Sequence, residues 1–270
     1  MGGLAFLAST SVSFFICSLY FYFTNNIKSL TTLIPFILLC IGNSLIGLLD
    51  DATKLKRGKN EGLTPKQKLL LQSIIAFIFL ILLSTLSNKT FTLDLLVTQV
   101  TSPLLYYPML FLLILGIVNC ANLTDGIDGL ASGVAYAIGV SFFVISFKSN
   151  VVCGAISVTL IGASLAFLIF NINPAKIFMG DTGSLLFGAI AISCAFSVER
   201  PLSVLSVGVI YVIEGASVIL QVIYYKLTKK RLFKMAPIHH HLEKSGLGEN
   251  KICLIAMIVT FLAALLPMIR

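Results

Sequence analysis

Long apolar segments recur along almost the whole chain, and they constrain its fold more than any other feature. The run from 74 to 83, for example, contains only apolar residues. Only 11% of the residues are charged and the mean hydropathy is +1.00, whereas about a quarter of the residues of a soluble domain are charged. Apolar segments of about 20 residues are long enough to cross a bilayer as helices. The sequence therefore predicts an integral membrane protein.

Turn residues and charges divide the apolar sequence into nine predicted membrane spans. A β-barrel is disfavoured because its strands would be about ten residues of alternating polarity. The predicted fold class is an all-α, polytopic membrane helix bundle that forms a single domain over 1–270. We expect the first span to remain in the mature chain, because it is longer than the apolar region of a signal peptide and no Lys or Arg precedes it. The spans are expected near 3–23, 30–49, 67–86, 103–120, 128–147, 151–170, 182–198, 202–225 and 251–269.

Basic residues are distributed unequally between the two sides of the predicted bundle. The connections after the even-numbered spans hold 14 of the 19 Lys and Arg residues, and the other side holds Lys28, Lys89, Lys148, Arg200 and Arg270. Because basic loops favour the cytoplasmic side, we expect these connections and the N-terminus to be cytoplasmic and the C-terminus to lie outside. In a membrane protein the net charge of +8 sets orientation against anionic lipid, so we expect no nucleic-acid partner.

One helix start is marked locally. Thr64, Pro65 and Gln67 have the spacing of a capping box with Pro at the first helical position. The third span is therefore expected to begin near Pro65, and the preceding residues from Leu55 to Leu63 to form a loop or a short interfacial helix.

Five of the six aspartates lie at the cytoplasmic ends of predicted spans. Ionisable groups at membrane depth are costly, and a group of them at one face usually lines a polar cavity or binds an ion. A cluster of carboxylates with few soft ligands suits Mg²⁺ or Mn²⁺, which are often shared with substrate phosphates. A nucleotide diphosphate is then a natural substrate class. The five residues are Asp50, Asp51, Asp125, Asp128 and Asp181.

Three of these aspartates also have a purely structural explanation. Asp181 could cap the helix that follows it, and Asp125 could cap a helix entered at Ile127. Asp50 and Lys54 have i, i+4 spacing and could form a surface ion pair. Independent caps and pairs would not require three acidic clusters on the same side, so a shared site is the preferred interpretation.

All three histidines lie in the segment 236–243. Consecutive residues on a helix are about 100° apart, so these side chains could not converge on one zinc ion. Phosphate binding or proton transfer by one or two of them is the preferred interpretation, and solvation of the loop is the alternative.

Glu214 is the one acidic residue inside a predicted span. Ser217 and Gln221 share its helical face, which indicates either a stripe lining a cavity or an interhelical hydrogen bond. Gly208 and Gly215 flank it, so we expect this eighth span to be bent or broken.

Five sequence motifs together cover essentially the whole chain. In order they are Gly47-Leu-Leu-Asp-Asp51, Gly62-Leu-Thr-Pro-Lys-Gln-Lys68, Asn122-Leu-Thr-Asp-Gly-Ile-Asp-Gly-Leu-Ala131, Asn171-Ile-Asn-Pro-Ala-Lys-Ile-Phe-Met-Gly-Asp-Thr-Gly-Ser184 and Ala236-Pro-Ile-His-His-His-Leu-Glu243. They resemble the motifs of the phospho-N-acetylmuramoyl-pentapeptide transferases, which belong to the polyprenyl-phosphate N-acetylhexosamine-1-phosphate transferases. Any one motif would be moderately specific, whereas the set is highly specific.

The resemblance implies a reaction and a cellular location. The reaction transfers phospho-N-acetylmuramoyl-pentapeptide from UDP-N-acetylmuramoyl-pentapeptide to undecaprenyl phosphate, with Mg²⁺, and gives lipid I and UMP in the first membrane step of peptidoglycan synthesis. The resemblance also implies a multi-pass protein of the bacterial inner membrane, an active site on its cytoplasmic face, and a homodimer.

The resemblance also assigns roles to residues of this chain. It implies that Asp181 is the metal ligand, that Asp50 and Asp51 are the acidic pair near the lipid phosphate, and that His239 and His240 face the phosphates. We expect direct attack by the lipid phosphate, without a covalent enzyme intermediate. The uridine pocket would be shaped by Asn122, Asp125, Gly126, Asp128 and Phe178, and the two histidines at the phosphates would be supported by Asn171 and Lys54.

The chain departs from the family pattern at its start. Family members have an additional first span and a cytoplasmic segment with a nucleotide-binding lysine before Met-Gly-Gly, whereas this sequence opens at Met1-Gly-Gly. A protein that binds nucleotide without turnover is therefore one alternative. A second, independent alternative is a sister transferase for another sugar phosphate, such as N-acetylglucosamine 1-phosphate, against which the segment 236–243 favours the muramoyl-pentapeptide enzyme. A transporter is disfavoured because transporter sites tend to lie near the bilayer midplane between repeats.

Overall fold

The computed structural model describes residues 2–58, 61–87, 93–94, 99–100, 102–147 and 150–269. Within these ranges the chain is almost entirely helical, which confirms the predicted all-α membrane bundle. Two short strands, β1 (Leu93–Asp94) and β2 (Gln99–Val100), pair antiparallel with Leu93 opposite Val100. The helices are α1 (Gly2–Phe23), α2 (Ile27–Arg57), α3 (Pro65–Ser87), α4 (Pro103–Thr124), α5 (Leu130–Ser146), α6 (Val151–Asn171), α7 (Gly180–Ser197), α8 (Ser203–Val207), α9 (Val209–Thr228), α10 (Ile238–Glu243), α11 (Glu249–Ala263) and α12 (Leu265–Ile269).

Each of the nine predicted spans coincides with a helix or with two consecutive helices. In the described part of the chain, eight helical segments are long and apolar enough to cross a membrane: α1 to α4, α6, α7, α9, and α11 continued into α12. The remaining predicted span is α5, an apolar helix of 17 residues. The predicted break in the eighth span is confirmed at Gly208, where α8 ends and α9 begins. Four residues that entered the charge count lie outside the described residues: Lys59, Lys89, Lys148 and Arg270.

The helix α7 lies at the centre of the bundle. It is buried from Thr182 to Ser197 and packs against α1, α2, α4 and α6. Aromatic contacts reinforce this packing, because the ring of Phe6 lies 5.0 Å from that of Phe187 and 4.7 Å from that of Phe167. Any group at the start of α7 is therefore held by several neighbouring helices.

The loop after α2 is shorter than expected. The helix continues through Leu55 to Arg57 and ends at Gly58, which has a φ of +59°, so the expectation of a loop or separate helix beginning at Leu55 was wrong. A helix can extend past its apolar stretch where its polar residues contact other parts of the protein. The predicted start of α3 is confirmed: Gln67 N donates to Thr64 Oγ1 at 3.3 Å, and Thr64 N donates to Gln67 Oε1 at 3.0 Å.

Candidate active site

Three of the predicted acidic residues converge at one end of the bundle. Asp50 and Asp51 lie near the C-terminus of α2, and Asp181 lies in the first turn of α7. One carboxylate oxygen from each lies within 4.8 Å of the others, and Asp50 and Asp51 are buried. The two helices approach closely at Gly47, where any side chain would collide with the backbone of Asp181.

Two lysines lie among these carboxylates. Lys54 Nζ is 2.6 Å from Asp50, 3.4 Å from Asp181 and 3.9 Å from Asp51. Lys68, from α3, contacts the Asp181 carboxylate and lies 3.7 Å from Asp50. Asp50 and Lys54 do pair as the i, i+4 spacing suggested, but within a larger cluster rather than alone. Lys68 was missed as a site residue, although the second motif contains it.

Asp51 caps the helix on which Asp181 lies. Its carboxylate accepts hydrogen bonds from Asp181 N at 3.2 Å, from Thr182 N at 3.0 Å and from Thr182 Oγ1 at 2.6 Å. The residue before α7, Met179, makes no side-chain cap. The alternative that Asp181 itself is the cap was therefore wrong, and its carboxylate is directed to the two lysines.

The cluster fits a hard divalent cation. Its donors are carboxylate oxygens from three residues, the ligand type that Mg²⁺ prefers. With all groups ionised, the three carboxylates exceed the two ammonium groups by one negative charge, and the ammonium groups already lie where a cation would be attracted. The donor type, the spacing of Asp50, Asp51 and Asp181 and the charge are all compatible with a divalent-cation site.

Asp125 lies in the turn after α4, close to this cluster. Burial, together with the charges of Asp181 and Asp51, raises its pKa to about 7, and His239 opposes the shift. Asp125 does not cap the next helix, because α5 begins at Leu130 with Gly129 before it. The alternative of a helix entered at Ile127 and capped by Asp125 was wrong.

Asp128 holds a loop in place. Its Oδ2 accepts hydrogen bonds from Asn173 Nδ2 at 3.2 Å and from Ala175 N at 2.8 Å. Its backbone N–H donates to Glu249 Oε2 at 2.8 Å. Asp128 therefore joins the turn after α4 to the loop between α6 and α7 and to the start of α11.

Asn171 fastens the same loop from its other side. Its Oδ1 accepts hydrogen bonds from Gly129 N and Ser132 Oγ, both at 3.1 Å, and its Nδ2 donates to Ile177 O at 3.1 Å. Asn171 is buried, and both the oxygen and the nitrogen of its amide are hydrogen-bonded. It therefore holds the loop between α6 and α7 against the start of α5.

Two predicted pocket residues, Asn122 and Phe178, have different environments. Asn122 donates through Nδ2 to Ser184 Oγ at 2.8 Å, which ties α4 to α7. The side chain of Phe178 is 70% exposed, while its backbone carbonyl accepts a hydrogen bond from Gly2 N at 3.0 Å. An exposed ring on a fixed backbone is available to stack on a planar ligand.

The three histidines have three different environments. His239 is buried, and its Nδ1 lies 3.0 Å from Oε2 of Glu214. His240 Nδ1 lies 3.0 Å from Oε2 of Glu243 on the exposed side of α10, and His241 Nδ1 accepts a hydrogen bond from the backbone of Lys234. The sequence placed Glu214 in a polar stripe but did not pair it with a histidine.

The chain is similar in sequence to known proteins over most of its length. Residues 33–199 match the model of glycosyl transferase family 4. The chain is 42% identical over 257 residues to a phospho-N-acetylmuramoyl-pentapeptide-transferase of Staphylococcus haemolyticus, covering 93% of this chain and 78% of that protein. It is 41% identical to proteins of the same name from Staphylococcus epidermidis and Clostridium acetobutylicum, covering 98% of this chain and 83% and 82% of theirs. The chain therefore belongs to glycosyl transferase family 4 and, within it, to the phospho-N-acetylmuramoyl-pentapeptide transferases.

Proposed function

We propose that this transferase moves phospho-N-acetylmuramoyl-pentapeptide from UDP-N-acetylmuramoyl-pentapeptide to undecaprenyl phosphate and forms lipid I and UMP. In the cell this is the first membrane step of peptidoglycan synthesis, at the cytoplasmic face of the bacterial inner membrane. The observation that carries the proposal is the convergence of Asp50, Asp51 and Asp181 with two lysines at the end of membrane-spanning helices. A site there can receive a soluble nucleotide from one side and a lipid phosphate from the other.

The reaction exchanges one phosphorus–oxygen bond for another. An oxygen of undecaprenyl phosphate forms a bond to the sugar-linked phosphorus of the diphosphate, and the bond from that phosphorus to the UMP oxygen breaks, so that UMP leaves with the electron pair. The second pKa of a phosphate monoester is near 6, so the lipid phosphate is mostly dianionic at pH 7. Direct attack therefore needs no strong base, and Asp50 and Asp51 act by position and charge.

Catalysis then consists mainly of positioning and charge neutralisation. Mg²⁺, held by Asp181 beside Asp50 and Asp51, would supply positive charge to the diphosphate oxygens. Lys54 and Lys68, which lie between the carboxylates, supply further positive charge.

The nucleotide lies over the turn after α4. The exposed ring of Phe178 stacks on the uracil, and Asn122, Asp125 and Gly126 line the pocket. Asp128 and Asn171 keep its loops in place through the hydrogen bonds described above. His239 and His240 extend from α10 towards the phosphates.

The test is UMP release by the purified chain in detergent with undecaprenyl phosphate and Mg²⁺. We expect release from UDP-N-acetylmuramoyl-pentapeptide, no release from UDP-N-acetylglucosamine, and loss of at least about 100-fold in Asp181→Asn. Glu61→Gln, which removes an exposed carboxylate outside the cluster, should stay within about twofold of the unchanged protein.

Other outcomes would replace the proposal. Release from UDP-N-acetylglucosamine alone would identify a sister transferase. Uridine nucleotide binding without release from either substrate would identify a protein that has lost turnover. The homodimer is a separate part of the proposal, and light scattering of the purified protein in detergent tests it.

A further inference from the structure

Glu214 and His239 form a buried pair that joins a membrane helix to the loop after it. Glu214 lies in the second turn of α9 and His239 in α10, and their exposed fractions are 2% and 1%. Nδ1 of His239 lies 3.0 Å from Oε2 of Glu214, and the backbone N–H of His239 donates to the same oxygen at 3.5 Å. Because a carboxylate is costly to bury in a membrane span, such residues usually have a function and a specific partner.

The other ring nitrogen of His239 faces the turn after α4. Nε2 is buried and has no hydrogen-bond partner among the described residues. It lies against Gly126, where any side chain would collide with the ring. His239 also lies close enough to Asp125 to oppose the rise in the pKa of that carboxyl. Nε2 therefore lies at the wall of the pocket in which the nucleotide is proposed to bind.

The partner on Nδ1 determines what Nε2 can do. A carboxylate only accepts hydrogen bonds, so the proton between the two residues belongs to His239 Nδ1. Nε2 is then the atom left to contact a ligand. His241 differs, because its Nδ1 accepts a hydrogen bond from Lys234 N at 3.1 Å. His239 thus carries its proton on Nδ1, whereas His241, two residues later in the same short helix, accepts at Nδ1.

We propose that Glu214 is a positioning residue of the transferase: it holds the proton on His239 Nδ1, so that Nε2 is presented to the phosphates of the bound nucleotide. The proposal rests on the function proposed above. Glu214 lies behind the ring and acts through it, as buried carboxylates do when they orient a histidine.

A double-mutant cycle separates this role from a structural one. Glu214→Gln keeps the shape but loses the charge, and its amide can donate to Nδ1 as well as accept from it. His239→Asn keeps a donor towards Glu214 but removes Nε2. We expect each variant to lower kcat for UMP release by at least about tenfold, with the KM for the nucleotide substrate changed less than kcat. The double variant should be within about twofold of His239→Asn alone, because Glu214 acts only through the ring.

A matched control changes a carboxylate outside the site. Glu61→Gln makes the same carboxylate-to-amide change at an exposed residue, so this variant should stay within about twofold of the unchanged protein. An equal loss in Glu61→Gln, full activity in Glu214→Gln, or multiplied losses in the double variant would each overturn the positioning role.

A second measurement does not depend on activity. The chain has three histidines, so the ¹⁵N signals of His239 can be assigned by their loss in His239→Asn. We expect the ¹⁵N signal of Nδ1 to be that of a protonated nitrogen, and to shift in Glu214→Gln but not in Glu243→Gln. A neutral ring protonated on Nε2 would refute the inference. If the unchanged protein released no UMP from either substrate, the proposed function would fail while this spectrum still decided the proton position.

Discussion

Asp51 of α2 holds Thr182 of α7 through two hydrogen bonds, one from the backbone N–H at 3.0 Å and one from the hydroxyl at 2.6 Å. A third bond comes from Asp181 N at 3.2 Å. Because the N-terminus of a helix carries partial positive charge, the carboxylate of one helix stabilises the start of another. The position of Asp181 therefore depends on a neighbouring acid that is itself a predicted site residue.

Asp51→Asn should reduce both stability and activity. The amide has one accepting oxygen and no charge, so it cannot replace all three hydrogen bonds. We expect the free energy of unfolding to fall by about 1–2 kcal/mol, in the range of a lost N-cap, and UMP release to fall further because Asp181 is displaced. Denaturation in detergent measures the first effect. Asp181→Asn is the control, since it leaves the cap in place, and equal stability of the two variants would contradict the capping role.

Gly47→Ala should be destabilising although alanine favours helices. A methyl group at this position would collide with the Asp181 backbone, and overpacking of this kind costs about 1–3 kcal/mol. Gly116→Ala in α4 is the matched control, because a Cβ there meets nothing within 4 Å. It should be neutral or stabilising by up to about 1 kcal/mol. Thermal unfolding of the two variants side by side provides the measurement, and equal shifts would argue against close packing of α2 on α7.

Removing Lys68 should strengthen metal binding while it weakens catalysis. The ammonium group contacts Asp181 and lies 3.7 Å from Asp50, so it competes with a cation for the same carboxylates. We expect Lys68→Gln to bind Mn²⁺ several-fold more tightly, from the Coulomb energy of one charge near the surface, and to release UMP more slowly. Titration of free Mn²⁺ by electron paramagnetic resonance measures the affinity. Lys66→Gln, an exposed residue of the same helix, should leave it unchanged. Unchanged or weaker binding in Lys68→Gln would contradict competition between Lys68 and the metal.

Much of the fold could be predicted from the sequence because bilayer thickness fixes the length of an apolar helix. The apolar runs predicted the helices at all nine expected positions, eight of which are long enough to cross a membrane, and glycine predicted the break at Gly208. Hydropathy could not locate the end of α2, because Lys56 and Arg57 are polar and yet remain helical. Arg57 donates a hydrogen bond to Gly62 O, a contact that hydropathy does not predict. It also missed α10, since six residues from Ile238 to Glu243 carry no periodic apolar pattern.

That Asp50, Asp51 and Asp181 converge was easier to predict than the hydrogen bonds that hold them in place. Assigning the loops to one side of the membrane brought the aspartates to a common face. The pairing of Asp51 with Thr182, however, joins residues 131 apart in sequence, and only the packing of α2 on α7 creates it. Lys68 could have been found as a cation one turn after the capping residue Thr64, at the same membrane face. No comparable local signal joins Glu214 to His239.

Asp125→Asn should stabilise the protein at alkaline pH. Burial and nearby acids raise the pKa of Asp125 from 3.8 to about 7, so the folded protein holds a proton that the unfolded chain releases near pH 4. Between these values the free energy of unfolding contributed by this group falls as pH rises. Replacement by the neutral amide removes that loss, with a gain on the order of 1 kcal/mol at pH 8 once screening by solvent is allowed for. Unfolding in metal-free detergent at pH 5 and pH 8 checks this, and a benefit larger at pH 5 would refute it.

Phe178→Ala should weaken nucleotide binding with little effect on stability. The ring is 70% exposed, so its removal leaves no cavity in the core, while stacking of a base on an aromatic ring contributes about 1–3 kcal/mol. We expect the KM for the uridine nucleotide substrate to rise about tenfold and the unfolding temperature to stay nearly constant. Phe178→Tyr keeps the stacking face and should retain most of the affinity. Leu227→Ala, which truncates a 79% exposed apolar side chain on α9, serves as the control for loss of exposed apolar surface. A KM for Phe178→Ala equal to that of Phe178→Tyr would place the base elsewhere.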